Sequence, residues 1–291
     1  MLSPNIPVMT DLPEGENLQD HVFIPTAVGI SQPISYLFED FGSIWTMIKY
    51  YLFGTGLWNV PNFVEVISFQ SITGESKREE WPDLQLHFIS TALNSNFMSA
   101  FRFKKELIEE MSYRDKYRHG FMCSPSLLRP ESRGNITLKS SDPFDHPHIT
   151  TNYLNRPYDA DILVKGIDTC KALVNTKTMQ SVGAKFLDNK PLSPCKHHQF
   201  DTAAYWTCVL RLGVFIIYHP VGTYKMGPKG DSTAVVDSEL RVHGVSGLRV
   251  VDASIMPWIT SGNTHIPTIM IAQKTADMIL GKKSLPPEDV L

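Results

Sequence analysis

The pattern of residues near the C-terminus constrains the fold more strongly than any other feature of the sequence. A β-branched strand is predicted over Leu248–Val251, and it stops at Asp252. A loop rich in Pro, Gly and Asn follows, and Pro267 then opens a predicted helix over 266–280, with Gly281 directly after it. In α/β folds this order of strand, acidic residue, loop and helix holds a ligand.

Upstream of this region, the spacing of apolar residues predicts both strands and helices. Apolar and polar residues alternate, as in strands, over 63–71, 83–91 and 136–140. Apolar residues recur at helical spacing within 35–53, and a second amphipathic helix begins at Asp159 or Asp161. We expect the helix within 35–53 to pack against the core, because its other side is polar; a lid or a membrane-facing helix is the alternative. Strands with helices beside them predict an α+β fold.

Composition excludes several classes of function. Lys plus Arg total 27 against 30 for Asp plus Glu, a net charge of −3, so no basic excess favours a nucleic-acid partner. The most apolar run, 212–218, is far shorter than the ~20 residues of a spanning helix, and we expect no membrane span. No metal site is expected, because the His-rich stretches at 146–148 and 197–198 lack further ligands at tetrahedral spacing.

The four cysteines leave the redox state open. Cys195 and Cys208 are 13 residues apart, and on this spacing a disulfide and a pair of buried thiols are equally supported. Cys123 and Cys170 have no close cysteine neighbours in the sequence, and we expect them to be core thiols.

Two histidines are candidates for proton transfer. His219 follows an apolar segment and stands beside Pro220 and Gly222, and His265 lies at the start of the C-terminal helix. A histidine beside apolar residues is most often structural. Loops next to Gly and Pro, however, present side chains to clefts, and an imidazole can exchange a proton near neutral pH.

Four stretches of the chain together resemble one known family. They are GENLQDH at 15–21, PSLLRPESRGNITLKSSDPFDHPHITTNYL at 125–154, YHPVGTYKMG at 218–227, and AVVDSELRVHGVSGLRVVDASIMPWITSGNTHIPTIMIAQKTADMIL at 234–280. In this order they resemble the glucose–methanol–choline (GMC) oxidoreductases, which are FAD-dependent enzymes that oxidise alcohols. The pattern is most similar to the insect members called glucose-dehydrogenase-like, a name we do not take as a statement of substrate.

The resemblance implies a domain organisation. An antiparallel-sheet substrate-binding domain with helices, over 22–218, would pack on the residual part of an FAD-binding α/β domain formed by 1–21 and 219–291. The family's FAD pyrophosphate binds at a G-x-G-x-x-G turn, and this sequence contains no such turn. Its first residues also read like the middle of a protein. We therefore expect a fragment that corresponds to the family's second half and that does not retain FAD by itself.

The resemblance also implies a function. It is the oxidation of CH–OH groups of small alcohol or sugar donors by hydride transfer to FAD, with a quinone or oxygen as electron acceptor. The family, together with a Cys195–Cys208 disulfide, would fit a secreted protein. The alternative is a truncated, non-catalytic product that binds no flavin and acts, if at all, as a binding module.

By the same resemblance, His219 and His265 form the catalytic pair, with His219 preferred as the base that accepts the hydroxyl proton. The cofactor-binding positions would be Asp252, Ala253, Asn263, Thr264, Ile266, Pro267 and Asn17. Two of them have simpler explanations, since Asp252 could cap a helix or loop and Asn17 could form an Asx-turn.

Overall fold

The computed structural model describes residues 7–60, 63–73 and 81–282. The strands, in chain order, are β1 (Val22–Phe23), β2 (Thr26–Ile30), β3 (Val64–Gln70), β4 (Leu84–Ile89), β5 (His119–Leu127), β6 (Asn135–Thr137), β7 (His148–Thr150), β8 (Lys185–Phe186) and β9 (Phe215–Ile216). The α-helices are α1 (Ile44–Phe53), α2 (Ser95–Ala100), α3 (Lys105–Met111), α4 (Pro157–Val174), α5 (Lys177–Ser181), α6 (Ala203–Gly213) and α7 (His265–Ile279).

The chain divides into two compact units. Unit 1 consists of Met1–His21, Leu128–Asp159 and Ile216–Leu291, and unit 2 consists of Val22–Leu127 and Ala160–Phe215. The first predicted boundary, between residues 21 and 22, coincides with a unit boundary, and the second, before residue 219, lies close to one. The middle segment Leu128–Asp159 differs, since it groups with the chain ends and not with the rest of 22–218.

Unit 2 is built on an antiparallel sheet. Strand β4 lies between β3 and β5, β1 pairs with β5, and β2 pairs with both β5 and β8. All five residues of β2 are buried, as are most of those in β5, so these two strands lie inside unit 2. Helices accompany this sheet, so the predicted α+β class is confirmed.

Most predicted elements are present, with shifted ends. The strands predicted over 63–71 and 83–91 are β3 and β4, and the one predicted over 136–140 is the shorter β6, which pairs with β7 in unit 1. The helix predicted from Asp159 or Asp161 is α4, which begins slightly earlier, at Pro157. Its apolar stripe is buried, as expected, including Ile162 and Ile167.

Helix α1 contradicts the expectation of a core-packing helix. Its apolar side chains are largely exposed, with 68% of Trp45 and 71% of Tyr51 accessible, and Thr46 is its one buried residue. Amphipathic spacing shows which side chains share a face. Whether a neighbouring element covers that face is a property of the tertiary structure.

Both pairs of cysteines in unit 2 are disulfide-bonded. Cys195–Cys208 is one of the two arrangements that the sequence left open. Cys123 and Cys170 are fully buried, so their expected place in the core is confirmed. They are not thiols, however, because strand β5 and helix α4 bring their Cα atoms to 5.9 Å across 47 residues of sequence, where the two sulfurs are bonded. The sulfur of Cys208 lies near His197 and His198, but a disulfide sulfur is not a thiolate ligand, so these three residues do not make a metal site.

Unit 1 has its own apolar core, which holds the C-terminal region. Its buried members are Val221, Val235, Val236, Leu240, Val242, Ile255, Met256, Ile259 and Ile271. Helix α7 contributes Ile271, begins at His265 and is followed by Gly281 with φ of 66°. Both ends therefore agree with the predicted start at Pro267 and stop at Gly281 to within two residues.

The strand predicted over Leu248–Val251 is not formed. Arg249 makes a single antiparallel bridge to Arg241, flanked by backbone hydrogen bonds between residues 240–242 and 248–250. A tight turn with left-handed glycines at 244 and 247 joins these segments and limits the pairing to a short ladder. Among the described helices, none is both long and apolar enough to cross a bilayer.

Candidate functional site

The segment 15–21 connects several distant parts of unit 1 through its side chains. Asn17 has a left-handed backbone, with φ of 63°. Its Nδ2 donates to the carbonyl oxygens of Gly222 at 3.2 Å and Pro257 at 3.3 Å, and its Oδ1 accepts from Nε of Arg133 at 3.0 Å. Asn17 is therefore a bridge between three segments, and its amide is not confined to a local Asx-turn.

Gln19 extends this bridge. Its Nε2 donates to the Pro257 oxygen at 3.2 Å, and its Oε1 accepts from the backbone N–H of Ile259 at 3.2 Å. Its main chain pairs with that of Val221 in both directions, at 3.0 and 2.9 Å. The two loops that the sequence selected, after 218 and after 252, are thus held by one segment.

The loop that carries His219 has an unusual backbone. Tyr218 adopts a left-handed conformation, with φ of 59°, directly before the histidine. Gly222 has φ of 98°, and a Cβ atom placed there would lie 2.4 Å from the backbone oxygen of Asn17. The close approach of the two segments therefore requires glycine at this position.

His219 is buried and held at two points. Only 9% of its surface is accessible. Its backbone N–H donates to Oδ1 of Asp20 at 3.0 Å, and its Nδ1 lies 2.9 Å from Nδ1 of His21, with the two rings nearly perpendicular. Burial lowers the pKa of His219 from 6.5, so the imidazole is neutral at neutral pH.

Asp20 anchors the backbone at this histidine. Burial raises the pKa of its carboxyl, and the hydrogen bonds from the His219 amide and from Oη of Tyr153, at 3.1 Å, act in the opposite direction. The pKa of Tyr153 is raised in turn, by its own burial and then by the nearby Asp20. The carboxylate holds the main chain of His219 and leaves the imidazole ring to another partner.

That partner is His21, which is not among the site residues predicted from the sequence. Its Nε2 lies 3.0 Å from the carbonyl oxygen of Leu128, and its side chain is fully buried. His21 is the last residue of GENLQDH, the same motif in which Asn17 was predicted as a site residue. A histidine next to an acid, in a motif assigned to the same site as His219, was the available clue.

The other predicted catalytic residue, His265, lies elsewhere in unit 1. It is the first residue of α7 and is exposed. Within the described residues, no hydrogen bond or ring contact joins His265 to His219. The pairing of these two histidines stays a prediction.

The predicted cofactor positions at 252–253 form a capped turn. Oδ1 of Asp252 accepts from the backbone N–H of Ser254 at 2.7 Å, so this carboxylate caps the short 3-10 helix Ala253–Ile255. Capping was the simpler of the two explanations for Asp252, and it leaves the second carboxylate oxygen for another donor. The hydroxyl of Ser254 is buried and has no hydrogen-bond partner among the described residues.

The predicted cofactor positions at 263–267 surround the start of α7. Asn263 is exposed, and Thr264 is the buried N-cap residue, but its side chain does not cap the first amides of the helix. Ile266 is exposed and Pro267 is half-buried. Close by in sequence, the buried hydroxyl of Ser261 lacks a partner among the described residues. An uncapped helix start is suited to a negatively charged or hydrogen-bond-accepting group.

Sequence comparison assigns the family. Residues 130–272 match the sequence profile described as GMC oxidoreductase, and similarity to curated members of the family extends over most of the chain. The fold, the buried histidine and this match together define the class of protein: the chain belongs to the GMC oxidoreductase family.

Two relatives illustrate the similarity. The chain is 37% identical over 269 residues to a glucose dehydrogenase [FAD, quinone] of Drosophila pseudoobscura pseudoobscura, covering 91% of this chain and 40% of the relative. It is 36% identical over 294 residues to oxygen-dependent choline dehydrogenase 1 of Chromohalobacter salexigens, covering 98% of this chain and 47% of the relative. The chain therefore spans less than half the length of these relatives.

Solved structures share the fold. A formate oxidase of Aspergillus oryzae superposes with a TM-score of 0.72 at 21% identity, covering 92% of this chain and 47% of that one. Pyridoxine 4-oxidase from Mesorbium loti superposes with a TM-score of 0.67 at 20% identity, covering 97% of this chain and 47% of that one.

Proposed function

We propose that this chain provides the proton-transfer site of an FAD-dependent oxidoreductase that acts on CH–OH groups of small alcohols or sugars. Family membership and the names of the relatives support the reaction class. The observation that carries the proposal is His219, a buried imidazole with a lowered pKa, whose backbone and ring are each held by a separate partner in the 15–21 segment.

In this proposal His219 acts as the general base. A hydroxyl group loses its proton with difficulty near neutral pH, and a neutral, positioned imidazole accepts it, which typically contributes ~10²–10⁴-fold to the rate. The anchored backbone at Asp20 limits the movement of this imidazole. His265, exposed at the start of α7, would hold the substrate oxygen.

FAD would supply the acceptor for the hydride that leaves the substrate carbon. The residues of unit 1 fit such a group in two respects. The buried hydroxyls of Ser254 and Ser261 lack partners in the described part of the chain, and Thr264, the N-cap residue of α7, makes no side-chain hydrogen bond to the first turn of the helix. The second oxygen of Asp252 suits a hydroxyl donor. We propose that Asp252, Ala253, Asn263, Thr264, Ile266 and Pro267 contribute to holding FAD.

Asn17 would act differently from the other cofactor positions. Its amide nitrogen and its amide oxygen are both engaged, with Gly222, Pro257 and Arg133. We therefore propose that Asn17 positions the loops of the site through these bonds and does not use its side chain to bind FAD.

The names of the relatives suggest the electron acceptor, and the disulfides suggest the cellular location. One relative is named for quinone and another for oxygen, so we propose one of these two acceptors. Disulfides persist mainly in oxidising compartments, and the two in unit 2 support secretion.

The test is flavin reduction. The protein is loaded with FAD, an alcohol or a sugar is added without oxygen, and bleaching of the visible flavin bands is measured. We expect His219→Ala to retain bound FAD and to lose reduction by about 10²-fold or more. Unchanged reduction in this variant would contradict the assignment of the base.

FAD retention by the chain alone is the control for the loading step. The sequence lacks a G-x-G-x-x-G turn, so we expect the 291-residue chain alone not to retain FAD, and reduction to require that turn on the same or an added polypeptide. Stoichiometric FAD on the chain alone would contradict this expectation. Failure to bind FAD even with the turn supplied would favour the non-catalytic alternative.

A further inference from the structure

We propose that His21 is a positioning residue that sets the tautomer of His219, so that the proton-accepting nitrogen of His219 is Nε2. This inference rests on the proposed function for the role of His219 as a base. The arrangement of protons between the two rings is argued from geometry and does not depend on that function.

The carbonyl oxygen of Leu128 determines which nitrogen of His21 carries a proton. It lies 3.0 Å from Nε2 of His21, a hydrogen-bond distance. A carbonyl oxygen only accepts, so Nε2 of His21 must carry the hydrogen and donate it. In a neutral imidazole with a proton on Nε2, Nδ1 carries none.

The imidazole rings of His21 and His219 contact each other through their Nδ1 atoms. Nδ1 of His21 and Nδ1 of His219 are 2.9 Å apart, and a hydrogen bond at this distance needs one proton between them. When His21 is neutral, its Nδ1 has no proton, so Nδ1 of His219 must carry it and donate. Neutral His219 therefore has a protonated Nδ1 and a free lone pair on Nε2.

The charges around His219 agree with this assignment. Among the described residues, His21 contacts the ring of His219, Asp20 accepts from its backbone amide, and Tyr153 donates to Asp20. A carboxylate bonded to the ring would favour the imidazolium and raise its pKa. The ring of His219 contacts the imidazole of His21 instead, and burial lowers the pKa of His219, so the base is neutral before the reaction.

His21 also affects the state that follows proton uptake. The O–H bond of the donor breaks as an N–H bond forms at Nε2 of His219, which becomes an imidazolium with protons on both nitrogens. The bond from its Nδ1 to His21 is then charge-assisted and shorter and stronger than before. Thus His21 selects the basic nitrogen, fixes the plane of the ring, and stabilises the charge that appears there.

The direct test is nuclear magnetic resonance on the full chain with nitrogen-15 in its histidines. Long-range nitrogen–proton correlations distinguish a protonated ring nitrogen from an unprotonated one. We expect His219 to show a protonated Nδ1 and an unprotonated Nε2 at neutral pH. The reverse pattern would overturn the inference. The His219→Gln variant identifies the signals.

Two substitutions of His21 separate positioning from folding. His21→Asn keeps an acceptor near the position of Nδ1, whereas His21→Leu removes both polar atoms. In the FAD-loaded protein we expect His21→Leu to slow flavin reduction roughly tenfold or more and to shift its pH profile, and His21→Asn to recover most of the rate. Equal loss in both variants, or no loss in either, would overturn the positioning role.

His243→Leu is the matched control. This histidine also faces a backbone carbonyl in unit 1, that of Gly227 at 3.2 Å, and it is outside the site. We expect the tautomer of His219 and the rate of flavin reduction to stay unchanged in it, and a loss as large as that of His21→Leu would overturn the specific role of His21.

The two proposals fail separately. If the tautomer is as expected while His219→Ala leaves flavin reduction intact, the proposed function is wrong and the proton arrangement stands. If the tautomer is reversed while His219→Ala abolishes reduction, the proposed function stands and the role of His21 is wrong.

Discussion

His219 illustrates how single residues acquire their chemistry in this protein. Its sequence context, next to Pro220 and Gly222, predicted a side chain presented by a loop. Its neutrality comes from burial. Its orientation comes from Asp20 and His21, which are about two hundred residues earlier in the chain, with separations of 199 and 198. Since both partners lie within one short motif, the 15–21 segment controls both the backbone and the ring.

The lowered pKa of His219 predicts a pH dependence of stability. The unfolded chain binds a proton at this residue below pH 6.5, whereas the folded chain does so only at lower pH. The contribution of His219 to the unfolding free energy should therefore be fully present above pH 6.5. It should fall as the pH drops toward the pKa that His219 has in the folded chain. Denaturant unfolding of the wild type and of His219→Gln across this pH range measures the unfolding free energy of each. The difference between the two free energies should become smaller as the pH falls.

The comparison between variants is needed because Asp20 contributes with the opposite sign. Its pKa is raised, so its contribution falls as pH rises above 3.8. The exposed His197→Gln variant is the control, and we expect it to follow the wild type. A constant difference between wild type and His219→Gln across the range would contradict the prediction.

At the scale of elements, the loop 218–222 is shaped by its contact with the 15–21 segment. Gly222 has both a positive φ and no space for a side chain, because the Asn17 carbonyl oxygen lies only 2.4 Å from the position of a Cβ. This contact is between backbones, so a more favourable side chain at either position cannot replace it. The close packing of the loop against the segment therefore depends on glycine at position 222.

We predict that Gly222→Ala destabilises unit 1 more than Gly230→Ala does. Both glycines have φ near 100°, so alanine at either costs about 1–3 kcal/mol in backbone strain. A Cβ at Gly230 meets nothing within 4 Å, whereas one at Gly222 meets the Asn17 oxygen at 2.4 Å. Unfolding by urea measures the two free energies, and equal losses would show that the close approach is not a constraint.

At the scale of the whole molecule, each of the two units is made from segments that are distant in sequence. In unit 2, disulfides reinforce this arrangement, and Cys123–Cys170 joins the central strand β5 to helix α4. Such a crosslink restricts the unfolded chain more when the loop that it closes is longer.

We predict that the Cys123→Ala/Cys170→Ala pair lowers the unfolding free energy more than Cys195→Ala/Cys208→Ala. The loops span 47 and 13 residues, and the chain-entropy model gives about 4 kcal/mol for the first and about 3 kcal/mol for the second. Urea unfolding under non-reducing conditions measures both. A larger loss for the 195–208 pair would contradict the entropic explanation.

The family, the α+β class and most of the elements followed from the sequence alone, because they depend on local patterns. Alternating apolar residues predicted β3 and β4, and Pro267 and Gly281 marked the ends of α7 within two residues. The motif YHPVGTYKMG pointed to His219. These features are encoded by neighbours within a few positions, so they can be read before the chain is folded.

Only the tertiary structure decided which distant residues meet. It paired His21 with His219 and Cys123 with Cys170, left the apolar side chains of α1 exposed, and reduced the strand predicted over Leu248–Val251 to a single bridge. Each outcome depends on contacts between segments separated by tens to hundreds of residues or on the availability of a neighbouring strand or core. Local periodicity carries no information about such contacts, since it fixes a side chain's face but not what lies opposite that face.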